Sequence, residues 1–146
     1  MIFLGADHAG YILKEEIKNY LDEIGYQYED LGALEFNQTD DYPDYAQKVA
    51  YHVLQSSGSR GILICGTGQG MCITANKIKG IRAVQIWDEF TARTASEHLN
   101  AQIVCLAGRV ISPEMAKKII KIWLETNFSG EPRHIRRIKK IADLED

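Results

Sequence analysis

The chain is poor in the residues that would staple a fold or carry it through a bilayer. Only three cysteines stand among its 146 residues, Cys65, Cys72 and Cys105, with no CxxC pair and no Cys or His neighbours at zinc spacing. An odd, scattered set reads as reduced thiols in a cytoplasmic protein, with neither a disulfide framework nor a structural metal. No apolar run approaches the roughly 18 residues of a membrane span, and MIFLGADHAG lacks the basic and apolar regions of a secretory leader. The expectation is an unprocessed chain with no membrane role. Excess positive charge is missing too: 17 Lys and Arg face 20 Asp and Glu, a net charge of −3, against the basic balance of nucleic-acid binders. Internal repeats, low-complexity tracts and linkers are absent.

What remains is ordinary for one domain, 45% hydrophobic and 25% charged. A chain of this size buries about two thirds of the surface its unfolded form exposes, enough for a core without staples. Short apolar runs alternate with longer amphipathic stretches, the pattern of a parallel α/β sheet. The runs at 2–6, 26–30, 61–65, 81–86 and 102–106 predict strands. Ile12, Leu13, Ile17, Tyr20, Leu21 and Ile24 form a helical stripe that stops at Gly25. Further helices are expected over 42–55, 70–78 and 89–98. A fifth starts from Ser112 as N-cap with Pro113 in its first turn, and a basic one covers 133–142. In a doubly wound sheet ligands gather at the carboxyl ends of the strands. That rule brings together Asp7 and His8, the turn from Gly66 to Gly70, Trp87 and Asp88, and Arg109.

The strongest local signal is ILICGTGQG, residues 62–70, a buried strand entering a glycine-rich turn and then a helix. Such a turn can aim backbone N–H groups at an anion, aided by the helix dipole. It matches neither the P-loop nor GxGxxG, so the nucleotide fingerprints are missing, and a merely structural tight turn stays open. Cys65 ends the strand where inward amides and a helix start favour a thiolate able to act as a base, although a buried cysteine is often only a small hydrophobe. Cys105, inside an apolar run, fits that blander role, and Cys72 is intermediate. Asp7 and His8 suit sugar hydroxyls or phosphate, with N-capping open for Asp7. His98 ends a helix, where the dipole favours a proton donor. Arg133 and Arg137 share a helix face as a candidate phosphate clamp, or as part of a solvated basic face. Arg109 stands isolated after the last strand. His52 falls off its helix's apolar stripe and is assigned to solvent.

Taken together, GADHAGYILKEEI, TDDYPDYA, ILICGTGQGMCITANKIKGIRA, SEHLNAQIVCLAGRVI and EPRHIRR run along nearly the whole chain. The sequence resembles the ribose-5-phosphate isomerase B family, which also contains galactose-6-phosphate isomerase subunits. The resemblance implies a Rossmann-like three-layer αβα sandwich with a five-stranded parallel sheet. It also implies a homodimer or dimer of dimers, with sites built from two subunits and the terminal helix packed on the partner. The implied activity is interconversion of ribose 5-phosphate and ribulose 5-phosphate in the non-oxidative pentose phosphate pathway, with no cofactor or metal. It casts Cys65 as proton-abstracting base, His98 as ring-opening acid and Thr67 beside the base. Gly66, Thr67, Gly68, Gln69 and Gly70 would hold the enediolate. Asp7, His8, Tyr42, Arg109, Arg133 and Arg137 would bind substrate, the arginines chiefly its phosphate. Where some relatives carry a glutamate base this chain has Met71, which favours Cys65. Where the family has Asn after the ring-opening histidine it has Leu99, with Asn100 next. A galactose- or allose-6-phosphate isomerase, a phosphosugar-binding or nucleotide-binding module without turnover, and a redox-sensing thiol protein are the alternatives.

Overall fold

The structure, a computed structural model, describes residues 1–146. Its five strands are β1 (Ile2–Ala6), β2 (Tyr28–Asp30), β3 (Arg60–Cys65), β4 (Ala83–Gln85) and β5 (Ile103–Ala107). They alternate with α1 (Tyr11–Glu23), α2 (Tyr42–Gln55), α3 (Gln69–Asn76), α4 (Glu89–Glu97) and α5 (Pro113–Glu125). Helix α6 (Pro132–Ala142) and a 3-10 turn close the chain. All strand pairs are parallel, in the order β2-β1-β3-β5-β4. This is the α/β sheet the sequence predicts.

Side chains alternate across the strands and divide the core in two. Leu4, Ile62, Ile64, Val104 and Leu106 pack with residues of α1, α4 and α5. Phe3, Leu63, Cys65, Ile103 and Cys105 pack on the opposite face with residues of α2 and α3. The three layers follow from this period-2 alternation against helical stripes. The connection after β1 leaves by one face and the connection into β3 returns by the other. The crevice outside their carboxyl ends is therefore the topological switch point, where such sheets bind ligands.

The two outer strands are shorter than the apolar runs that announce them. Tyr26 N–H bonds the Leu21 carbonyl at 2.9 Å to close α1, and Ile81 N–H bonds Ile78 at 3.1 Å in a turn. Those residues are apolar because they are half-buried or buried, but their backbone groups serve turns. Boundaries elsewhere follow local chemistry. Gly25 takes φ +77° just past α1, the left-handed stop that glycine allows. Ser112 Oγ accepts from Met115 N–H at 3.2 Å at the start of α5. Asp88 starts α4 as a capping box, its carboxylate accepting from Thr91 N–H at 2.7 Å. That oxygen is thus engaged with its own helix.

Helix α6 touches its own chain near both ends. His134 is buried against His98, and beyond the helix Glu145 accepts from Gly80 N–H at 3.0 Å. Between them Ile135 and Ile141 are exposed. No helix is long and apolar enough to cross a membrane.

Candidate active site

Cys65 is the last residue of β3 and only 4% exposed. The chain then turns through Gly66 and Thr67 to Gly68, which caps α3 at φ +77°. A side chain at Gly68 would be strained at that φ, and its Cβ would sit 3.0 Å from the Leu106 carbonyl, which is why glycine stands there. The turn's carbonyls are drawn one after another toward β5 and β4. Cys65 C=O accepts from Gly108 N–H at 2.8 Å, Gly66 C=O from Arg109 N–H at 3.0 Å, and Thr67 C=O from Gln85 Nε2. The N–H of Gly68 donates to Cys65 Sγ at 3.2 Å. Gly66 and Thr67 N–H groups meet no backbone carbonyl. The result is a sulfur beside a cluster of amide donors at a helix N-terminus, an arrangement that can receive an oxyanion.

The surrounding residues converge as the strand-end rule requires. A Cβ at Gly66 would lie 3.4 Å from Arg109 Nη1 and 3.6 Å from Ala9 Cβ, so β1's exit and Arg109 both border the turn. The Arg109 side chain is exposed, free of the partner expected for a charge near a core. The Tyr42 ring lies on Gly70, 2.5 Å from where a Cβ would be. Asp7 is buried and accepts from Ala9 and Gly10 N–H at 3.0 and 3.2 Å, so it caps the turn after β1. Burial pushes its carboxyl above the ordinary value despite those bonds. His8 is half-buried, its Nδ1 2.7 Å from Asp40 Oδ1, which also accepts from His8 N–H at 3.0 Å. Tyr45 Oη donates to the other Asp40 oxygen at 3.1 Å. Burial works to raise Asp40, yet these bonds hold its carboxyl below the usual range. Asp7, His8 and Asp40 each bring one donor atom within 4.8 Å of the others. They are the one set spaced to share a cation, but His8 Nδ1 and Asp40 Oδ1 are engaged with each other.

Three predicted residues lie elsewhere. His98 follows α4, which runs back from the carboxyl end of β4, and Leu99 and Asn100 carbonyls accept from Arg82 at the start of that strand. Cys65 pairs with Ala107 at the far end of β5, roughly 13 Å along the strand from Ile103. His98 stacks on His134, centroids 4.3 Å apart, and His134 Nδ1 lies 2.7 Å from Ser129 Oγ. Burial first, then the neighbouring His98, Arg133 and Arg137 side chains, hold His134 below its ordinary value. Arg133 Nε donates to Glu131 at 2.8 Å. Arg133 and Arg137 thus accompany His98 at the amino end of the sheet. One chain carries two separate groups, the Cys65 thiol and its glycine-rich turn at one end, imidazoles and arginines at the other.

Comparison with known proteins decides the family. The Ribose/Galactose Isomerase model matches residues 2–141. The chain belongs to that family. It is 40% identical over 144 residues to ribose-5-phosphate isomerase B of Mycobacterium tuberculosis, covering 99% of this chain and 89% of the relative. It is 44% identical over 129 residues to D-erythrulose-4-phosphate isomerase of Pectobacterium atrosepticum, covering 88% and 85%. A solved structure of ribose-5-phosphate isomerase B from Mycoplasma genitalium with bound ribulose-5-phosphate superposes with a TM-score of 0.94 at 43% identity, covering 99% and 95%.

Sequence reasoning missed Asp40, Tyr45, Gln85 and His134. Asp40 was legible only as one of two aspartates ahead of a helix. Gln85 sits two strands away from the turn it reaches, a contact no sequence spacing records.

Proposed function

We propose that the chain interconverts ribose 5-phosphate and ribulose 5-phosphate by cysteine-based proton transfer. The observation that carries this is Cys65 Sγ accepting from Gly68 N–H at 3.2 Å, at the switch-point crevice of a family that isomerises sugar phosphates. The Cys65 thiolate takes the proton from C2 of the open-chain aldose and returns it to C1, while the C2 hydroxyl gives up its proton and O1 gains one. Electrons pass through an enediolate whose oxygen the amides of 66–70 stabilise as an oxyanion hole. Thr67 lies beside the base, and Asp7, His8, Tyr42 and Arg109 border the sugar. No cofactor or metal enters the scheme.

His98 as ring-opening acid and Arg133 and Arg137 as phosphate clamp need a second subunit, because one chain holds them away from Cys65. A homodimer in which each crevice receives the partner's amino-end group supplies all three, and the exposed apolar face of α6 is consistent with a subunit contact. The arginines bind a remote phosphate, and that binding holds the reacting carbons against the sulfur.

Proton NMR in deuterated water, with ribose, allose and galactose phosphates offered separately, reads turnover, exchange and preference together. Ribose 5-phosphate is expected to exchange solvent hydrogen and turn over fastest; binding without exchange refutes an enzyme. C65A should lose turnover and still bind phosphosugar. Mixing inactive C65A with inactive H98A should restore activity through hybrid dimers with one intact site, and no recovery despite subunit exchange refutes the shared site.

A further inference from the structure

We infer that Gln85 is a positioning residue for Cys65, acting through a single peptide unit. The Thr67–Gly68 peptide is held at both poles: its carbonyl accepts from Gln85 Nε2, and its N–H donates to Cys65 Sγ at 3.2 Å. In a trans peptide these groups point in opposite directions, so fixing one aims the other. An independent contact places Gln85 at the same spot, since a Cβ on Gly68 would lie 3.1 Å from Gln85 Nε2. The preceding carbonyls of Cys65 and Gly66 are anchored by backbone N–H groups of Gly108 and Arg109. The Thr67 carbonyl lies beyond that ladder, and its hydrogen bond comes from a side chain. Gly68, at φ +77°, carries no side chain that would hold this peptide in place. Without Gln85 it is free to rotate, turning its N–H from the sulfur and presenting a carbonyl dipole instead. Register supports the reach: Gln85 pairs with Cys105 in β5, which in turn pairs with Leu63 of β3, two residues before Cys65.

The inference rests on the reading of Cys65 as a functional thiolate, and its test is separable from that reading. The other titratable or charged groups around the sulfur are Asp7, His8, Tyr42, Arg109, Cys72 and Cys105, and none changes in the variants. The substitution Gln85→Met keeps length and removes the donor; Gln85→Leu is a second apolar replacement should the first fold poorly. Iodoacetamide modification of Cys65 is followed against pH by peptide mass spectrometry, which resolves the three thiols. Loss of one hydrogen bond to an anion should move the modification profile upward by about one pH unit, about tenfold slower modification near neutrality. The acidic limb of kcat/KM should move with it, while KM stays within about twofold. A folded variant whose Cys65 profile overlays the wild type overturns the inference, as does a fall in kcat with the profile unmoved. Were C65A itself to retain turnover, the base assignment would fall, yet the profile of Q85M would still report on the peptide.

Discussion

Replacing Gly10 by alanine tests how tightly the crevice is built. An added Cβ would lie 2.2 Å from the Ile64 carbonyl oxygen, 2.5 Å from its carbon and 2.8 Å from its Cβ. Ordinary contact needs roughly 3.5 Å, so the two backbones must part by about 1 Å. Ile64 cannot yield, since it is fully buried and pairs with Ala6 on one side and Leu106 on the other. Helix α1 must lift instead, loosening Leu13, Ile17 and Leu21 in the core and stretching the Asp7 bonds to Ala9 and Gly10. Overpacking of about 2–3 kcal/mol and a weakened cap of about 1 kcal/mol give a loss of about 3–4 kcal/mol. At about 3 °C per kcal/mol, Tm should fall by about 10 °C. Gly58 is the control, with φ +75° and nothing within 4 Å of an added Cβ, so its alanine variant should lose only about 1–2 kcal/mol. Circular dichroism melts and urea midpoints measure both. Because Ile64 precedes Cys65, kcat/KM of G10A below its Tm should also drop. A G10A melt within about 3 °C of wild type, or a G58A loss as large as that of G10A, refutes the reasoning.

Gly70→Ala meets the Tyr42 ring, which is 39% exposed and can swing into solvent; KM should rise several-fold while Tm barely moves, and the reverse pattern would show the ring to be structural. Asp30 should set an acid limit to stability. Burial works to raise its carboxyl, but Lys14 and Lys18 outweigh burial and hold it below the ordinary value. A folded-state value below the unfolded one means stability that is present above about pH 4 and lost as pH falls through the folded value. In Lys14→Met, urea midpoints should report about 2–4 kcal/mol less stability at pH 7 and a shallower acid loss; an unchanged acid slope contradicts the pairing. Ser112→Ala removes the Met115 cap at 3.2 Å and should cost about 1 kcal/mol with kcat intact, checked by melting and assay.

Much of this architecture was legible because burial and periodicity carry the same information. The α2 boundaries, Tyr42–Gln55, emerge from the apolar stripe and from Pro43 in the first turn. The 66–70 turn was readable because glycine is needed where φ is positive. Periodicity does not say which end of a helix faces the crevice. His98 follows a helix, and its distance from Cys65 depends on α4 running antiparallel to the strands, a consequence of connectivity. Contacts between residues far apart in sequence are invisible for the same reason. Asp40 meets His8 across 32 residues and Gln85 meets Thr67 across 18, and neither pair has a period to announce it. Trp87 and Asp88 obeyed the strand-end rule, yet Asp88 is taken by its own helix.

The three cysteines separate position from reactivity. Cys65 and Cys105 share one core cluster, and Cys72 packs partly buried against it, so hydrophobic environment alone cannot distinguish them. Cys105 is fully buried in mid-sheet, where burial pushes its thiol well above the ordinary value. Cys72 donates to the Ala83 carbonyl at 3.3 Å and receives Asn76 Nδ2 at 3.8 Å, and the neighbouring Cys105 together with the Gln85 N–H pulls its thiol below the ordinary value against burial. Cys65 instead accepts from an N–H, a bond that strengthens when the sulfur becomes an anion. What sets Cys65 apart is a backbone amide donor at a helix N-terminus, and it comes from the strand ending at residue 65, where the next amides are released from the ladder. Cys65 and Cys72 are therefore both expected to alkylate in the native state, with Cys105 modified only on unfolding. Modification of Cys105 at the native rate of Cys65 would refute the role given to burial.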